Sequence, residues 1–251
     1  MPTWQPAQYL KFAAERTRPC RDLAASIDHP YARRIVDLGC GPGNSTEVLS
    51  ERWPDAELTG LDDSPEMIAR ALAAHPEWNW VTASIADWAA TSRQDYDIVF
   101  SNAALQWVNG HDRLLPELLA RGRVLAIQVP NNLDSPAQRL MREVAGEFQL
   151  AAPVRDWFTH DPEFYYDVMA PVASLVDIWR TDYLHVMDSA EAIVEWYKGT
   201  GLRPFLEALG TEADRARFIA AYLDAIRAAY PAQPDGKVLF PFRRLFIVAW
   251  R

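Results

Sequence analysis

Val36-Asp37-Leu38-Gly39-Cys40-Gly41-Pro42-Gly43-Asn44-Ser45-Thr46 is the stretch on which the fold turns. An apolar strand ends in an acid, three glycines follow at alternate positions, and a helix opens at Asn44. Glycine is needed where a backbone turns tightly at positive φ or is approached closely. A loop of this kind ahead of a helix N-terminus makes a nucleotide-sized cradle. The spacing argues against a dinucleotide, whose loop reads G-x-G-x-x-G. Here Gly43 arrives one residue early and Asn44 takes the dinucleotide position. Asp37, Gly39, Gly41 and Gly43 are thus the first candidate cofactor residues.

Working outward, residues 33–38 read as the first buried strand, 57–61 as the second, 78–82 as a short third, 96–101 as the fourth and 123–129 as the fifth. Helical patterns separate them. Residues 7–26 predict a helix broken by Pro19. Asn44 with Glu47 predicts a capping pair. Ser64-Pro65 predicts a helix start whose apolar face is Met67, Ile68, Ala71 and Leu72. A further helix is expected over 111–120, and others begin at Ser135-Pro136 and Asp161-Pro162. Residues 175–186 and 242–250 are long strands. Between them Asp188 with Glu191, and Thr211 with Asp214, predict helix starts, and Phe218, Tyr222 and Ile226 fall on one face. This rhythm implies an α/β fold with a doubly wound, seven-stranded Rossmann-like sheet and a helical cap inserted before the last strand. The expected division is a core of residues 1–187 and 237–251 with a cap of 188–236.

Composition narrows the function. The chain has 251 residues, a formal net charge of −9 and 49% hydrophobic residues, enough for a substantial core. Basic residues are scattered, so no nucleic-acid footprint is expected. No apolar run reaches the roughly 18 residues of a membrane span. The start, Met1-Pro2-Thr3-Trp4, does not read as a signal peptide. Two cysteines, one inside the glycine loop, suggest a reduced, cytoplasmic protein. Of 25 basic residues only Lys11, Lys198 and Lys237 are lysine, which leaves many arginine forks for carboxylates. No metal site is expected.

Asp62 ends the second strand about twenty residues past the loop, where an acid reaches the ribose hydroxyls of a nucleotide bound over the first strand. G-x-G-x-G preceded by an acid resembles motif I of the class I S-adenosylmethionine-dependent methyltransferases. In that class an acid after the third strand often accepts from the adenine amino group. This chain has Ser84 there, a neutral acceptor, followed by Ile85, which can pack on the adenine face. Asp87 is either an alternative acceptor or a surface acid. Small residues in Ser101-Asn102-Ala103-Ala104-Leu105-Gln106-Trp107 leave room for the methionine part of the cofactor, so Asn102 and Trp107 join the cofactor set. Gln106 and Trp107 would face the methyl group, and an aromatic wall suits a sulfonium. The tetrapeptide of amino-directed methyltransferases is missing there, which argues against nucleic-acid or protein amino groups as targets.

The chain also resembles the trans-aconitate 2-methyltransferase family nearly end to end. The resemblance runs through Trp4, Tyr9-Leu10-Lys11-Phe12 and Arg16-Thr17-Arg18-Pro19. It continues in the glycine loop, the 101–107 stretch, Gln128-Val129-Pro130-Asn131-Asn132 and Val176-Asp177-Ile178-Trp179-Arg180-Thr181. It ends in Thr200-Gly201-Leu202-Arg203-Pro204 and Phe242-Arg243-Arg244-Leu245-Phe246. It implies S-adenosylmethionine as cofactor, S-adenosylhomocysteine as product, and esterification of one carboxylate of a small polycarboxylate. Tyr9 enters the cofactor set on this ground. Ser84 is the visible departure, since family members usually carry Asp there.

If the sheet is of the methyltransferase type, the strand over 175–186 ends, and the last strand begins, at the cofactor face. The helical cap between them is then expected over the active site. Tyr183, His185, Arg203, Arg244 and Gln106 are the expected contacts for the acid. Arg243 and Arg244 have opposite strand parity, so only one should face the substrate. A carboxylate is already ionised at neutral pH, so no general base is expected.

Overall fold

The computed structural model describes residues 13–150 and 157–251. The expected cofactor contact Tyr9 lies outside them. Helix α1 (Ala13–Ser26) leads into an alternation of β1 (Arg34–Leu38), α2 (Asn44–Arg52), β2 (Glu57–Asp62), α3 (Pro65–Ala74), β3 (Asn79–Thr82), α4 (Ile85–Thr91), β4 (Tyr96–Asn102), α5 (His111–Leu119) and β5 (Gly122–Pro130). There follow α6 (Pro136–Glu147), α7 (Pro162–Met169), β6 (Leu175–Met187), α8 (Ala190–Lys198), α9 (Arg203–Ala208), α10 (Glu212–Ala229) and β7 (Val238–Trp250).

The seven strands form one sheet in the order β3-β2-β1-β4-β5-β7-β6. β1 pairs in parallel with both β2 and β4, β2 with β3, and β4 with β5, while β7 runs antiparallel to β5. This is the α/β, doubly wound, Rossmann-like sheet that the alternation predicts. The chain winds one way from β1 through β2 to β3 and the other way from β4, so the crevice beside the end of β1 is the topological switch point where such sheets bind ligands. β1 and β5 are covered on both faces, which explains their nearly continuous apolar sequences.

By packing, the described chain divides into two compact units. One holds residues 16–131, 157–181 and 244–251, and the other 13–15, 132–150 and 182–243. The first has a core between the sheet and its helices, built from residues such as Val36, Leu61, Leu115, Leu125 and Ile247. In the second, α10 packs on α6 and α8. Phe218, Tyr222 and Ile226 are buried there on the face the spacing gave them. The Tyr222 hydroxyl donates to the Ala137 carbonyl (3.1 Å), and the Ala137 N–H donates to the Tyr230 hydroxyl (3.1 Å).

Several local expectations are corrected. α1 runs through Pro19 without a break. Burial of Cys20, Leu23 and Ala24 holds the helix across the missing hydrogen bond. Asn44 and Glu47 form no capping pair, because Gly43 is the N-cap, in a left-handed conformation, with no side-chain cap. Leu72 is 51% exposed, so the buried stripe of α3 is Ile68 and Ala71. α8 starts after Ser189, one residue beyond Asp188, whose carboxylate instead meets Lys237 (2.6 Å). Ser64, Ser135 and Thr211 do cap α3, α6 and α10.

Candidate active site

The glycine loop is built by the end of β2. The N–H groups of Gly39 and Cys40 both donate to the Leu61 carbonyl (2.7 and 2.9 Å). The Gly41 N–H donates to Asp62 Oδ2 (2.9 Å), and the Ser64 N–H to Asp62 Oδ1 (2.9 Å). One carboxylate thus ties the β1–α2 loop to the β2–α3 turn. Each oxygen keeps a lone pair for a further donor.

The glycines have different reasons. A Cβ on Gly39, at φ +74, would stand 2.2 Å from the Ala104 Cβ, so this position is small because β4's end packs against it. A Cβ on Gly41, at φ +56, would meet no atom of the described residues within 4 Å. Gly41 therefore bends the loop around open space, a cradle that a side chain would fill. Gly43 lies against Trp80 and caps α2.

Asp37 is fully buried. Its Oδ2 accepts from Ser45 Oγ (2.6 Å) and Thr46 Oγ1 (2.7 Å), which fastens the first turn of α2 to β1. Its Oδ1 is buried with no hydrogen-bond partner among the described residues. Burial pushes the carboxyl up to about 6 against the pull of the two hydroxyls.

Ser84 is the N-cap of α4, a helix the sequence reading had not placed. Its hydroxyl accepts from the Asp87 N–H (3.0 Å) and donates to Asp87 Oδ2 (2.7 Å). One lone pair remains for a ligand. Ile85 is buried, and its Cδ1 lies 3.9 Å from where a Gly39 Cβ would be, so it borders the loop.

Beyond β4 the chain makes a tight turn. Ala103 has φ +55, an uncommon conformation for a residue with a Cβ. Its N–H donates to the Gln128 carbonyl (2.8 Å), and its carbonyl accepts from Gln106 Nε2 (2.6 Å). Asn102 Oδ1 and Gln106 Oε1 are buried acceptors with no hydrogen-bond partner among the described residues. Trp107 meets Trp157 edge-on at 5.2 Å between centroids.

Arg244 is 5% exposed, and its Nη1 donates to Gln128 Oε1 (3.4 Å). Asn102 lies opposite Gln128 in register, Gln128 lies opposite Phe246, and Arg244 is two residues from Phe246. Asn102, Gln128 and Arg244 therefore share one face of the sheet. Arg243 has the other parity and pairs with Asp182 (3.1 Å). Gln128 was not singled out from the sequence, although a glutamine inside an apolar strand was the available signal. Its Nε2 is buried without a hydrogen-bond partner among the described residues.

Tyr183, His185 and Arg203 belong to the second unit. Tyr183 and His185 are buried on one face of β6, and the His185 ring stacks on Trp196 (5.1 Å) beside Phe240 and Phe242. Arg203 opens α9, and its Nε donates to Glu207 one turn on (2.8 Å).

The loop, Asp62 and the turn thus offer an open cradle beside buried acceptors. That arrangement fits a cationic nucleoside: carboxylate lone pairs for ribose hydroxyls, neutral oxygens for N–H groups and an aromatic edge. Among the described residues no cluster of three or more metal-ligating side chains accompanies it. Comparison with known proteins agrees with this chemistry. Residues 35–123 match the methyltransferase domain family. The chain is 49% identical to the trans-aconitate 2-methyltransferase of Azoarcus sp. (strain BH72), over 100% of both chains. It is 50% identical to the same-named protein of Rhodopseudomonas palustris (strain BisB18), over 99% of each. Among solved structures, the YcgJ protein of Bacillus subtilis superposes with a TM-score of 0.60 at 13% identity, covering 93% of this chain and 98% of that one. At that identity the likeness concerns the fold.

Proposed function

The chain belongs to the trans-aconitate 2-methyltransferase family, and we propose that it transfers a methyl group from S-adenosylmethionine to one carboxylate of trans-aconitate. The products are a monomethyl ester and S-adenosylhomocysteine. The observation that carries this reading is identity near one half along the whole length of relatives with that name. The cradle at Gly41 and its acid Asp62 support the cofactor.

When bound, S-adenosylmethionine supplies an electrophilic methyl carbon on a sulfonium. The acceptor oxygen is already anionic, so the protein needs no general base. Its work is to hold oxygen, carbon and sulfur in line and to exclude water. In this reading Asp62 accepts from the ribose, and Ser84 and Ile85 receive the adenine. Asp37 fastens the first turn of α2 through Oδ2, which accepts from Ser45 and Thr46, and keeps Oδ1 as a buried acceptor. Asn102 and Gln106 offer the buried oxygens a cationic ligand favours. Arg244 is the proposed anchor for a carboxylate that is not esterified, since strand register places this cationic residue on the Asn102–Gln128 face. Arg203→Ala, Tyr183→Phe and His185→Gln test the other expected acceptor contacts. A cytoplasmic location is part of the proposal and is supported by Cys20 and Cys40, both buried and free. Among the described residues no helix is long and apolar enough to cross a membrane.

The test is turnover of a panel of free citrate-like acids and carrier-bound carboxylates, with mass analysis of the product. A monomethyl ester formed preferentially from trans-aconitate supports the reading. Esterification only of another small acid or of a carrier-bound carboxylate overturns the substrate. Cofactor binding without any turnover overturns the enzyme.

A further inference from the structure

A chain of buried hydrogen bonds stands behind the Ala103–Trp107 turn. His111 opens α5 and is almost fully buried. Its Nε2 lies 2.9 Å from the Leu105 carbonyl, and its Nδ1 lies 3.3 Å from the Tyr165 hydroxyl. The same hydroxyl is 3.3 Å from the His160 N–H. The Leu105 carbonyl and the His160 N–H are met by one consistent set of donors. A carbonyl only accepts, so Nε2 carries the proton and Nδ1 is the acceptor. The His160 N–H only donates, so the Tyr165 oxygen receives it and sends its own proton to Nδ1. Every group in the chain is satisfied when His111 is neutral. Burial holds the His111 pKa below the ordinary histidine value.

Two more contacts join the same segments. The Phe158 N–H donates to the Gln106 carbonyl (2.9 Å), and Trp157 packs on Trp107. Residues 157–160 are therefore fastened to the turn at Leu105, Gln106 and Trp107. The turn itself holds Ala103 at positive φ. A strained residue persists only where its surroundings over-determine it.

We propose that His111 and Tyr165 form a latch that clamps residues 157–160 onto the 105–107 turn, and that they are positioning residues for the methyl-transfer site through Gln106 and Trp107. This rests on the methyltransferase reading for its catalytic consequence, but the latch itself does not. Neither residue is placed against cofactor or acid. Their effect is to fix where the Gln106 amide and the Trp107 ring stand, while the glycine loop is held separately by Leu61 and Asp62.

Tyr165→Phe removes one oxygen and both of its hydrogen bonds. His111→Gln keeps an amide donor for the Leu105 carbonyl and loses the link to Tyr165. In full-length protein, hydrogen exchange over 103–108 and 157–160 should quicken in both variants, with exchange in α2 and β1 unchanged. The Michaelis constant for trans-aconitate should rise about fivefold or more, while the calorimetric dissociation constant for S-adenosylhomocysteine, which lacks the methylated sulfonium that Gln106 and Trp107 would face, stays within about twofold. The double variant should be no worse than the worse single one, because both break the same link. Unchanged exchange at these segments in either folded variant overturns the latch. Faster exchange with unchanged acid kinetics overturns the positioning role. A wild-type protein that forms no ester overturns the methyltransferase reading instead, and the exchange data still decide the latch.

Discussion

At the scale of single residues, Asp37 and Gly41 make opposite bargains. Asp37 is a carboxylate inside the core, useful because it anchors Ser45 and Thr46, unfavourable because it is desolvated. Its folded pKa, about 6, lies above the unfolded carboxylate value. The folded state therefore binds the proton more tightly, and this contribution to stability is full below the unfolded pKa of about 4 and is lost as pH rises through about 6. The whole swing is about 3 kcal/mol. Asp37→Asn keeps an acceptor for both hydroxyls and has no proton to lose. In denaturant titrations the stability of the wild type relative to Asp37→Asn should fall between pH 4 and 7.5. A flat difference across that range would contradict the assignment. Gly41 separates folding from binding, since among the described residues a Cβ there meets only open space. Gly41→Ala should fold with a loss of about 1–2 kcal/mol, the cost of left-handed backbone in a residue with a Cβ. It should nevertheless bind S-adenosylhomocysteine far more weakly in calorimetry. Equal affinity would show that no ligand approaches this backbone.

At the scale of elements, the site is held by turns that borrow acceptors from their neighbours. Asp62 ends β2 and accepts from backbone N–H groups in the glycine loop and in the turn before α3. Asp62→Ala should weaken S-adenosylhomocysteine binding by about 1.5–3 kcal/mol, the scale of one hydrogen bond to a charged group. The Michaelis constant for the acid at saturating cofactor should change little. A large acid effect with cofactor affinity intact would sink the ribose role. Element starts marked by Ser-Pro, or by Thr with an acid three residues on, were legible: Ser64, Ser135 and Thr211 all cap their helices. Asn44 and Asp188 carry the same local signal and fail. Gly43 takes the left-handed cap at the first, and Lys237 draws the carboxylate away at the second. Local pattern offers a cap, and neighbouring structure decides whether it is used.

At the scale of the whole molecule, charge sets a further expectation. The chain carries −9, and trans-aconitate approaches as a polyanion near neutral pH. The net field opposes encounter, and salt screens it, with the Debye length falling from about 30 Å at 0.01 M to about 10 Å at 0.1 M. The value of kcat/KM for the tricarboxylate should therefore rise over that range of ionic strength, and rise less for a monocarboxylate analogue. A steady fall with salt in stopped-time assays would mean that a local cationic field, with Arg244 the leading candidate, dominates encounter as well as binding.

The sequence by itself determined the sheet and its switch point, and it supplied the cofactor residues proposed there. Strand-sized apolar runs, a loop spacing that only a mononucleotide-like ligand suits, and an acid at the end of the second strand are all short-range signals. What only the tertiary structure decided is which polar side chains are committed to the protein itself. Arg243 and Arg244 are adjacent in sequence, yet strand parity sends one to Asp182 and buries the other beside Gln128. Arg203 is engaged by Glu207, and the Ser84 hydroxyl by its own helix. His111, Tyr165 and His160 are isolated polar residues in the sequence and become one hydrogen-bonded chain only because α5 and the start of α7 pack together. Such pairings depend on contacts between residues tens of positions apart. Periodicity and spacing do not encode them, because a buried donor takes whichever acceptor the packed backbone brings within about 3 Å.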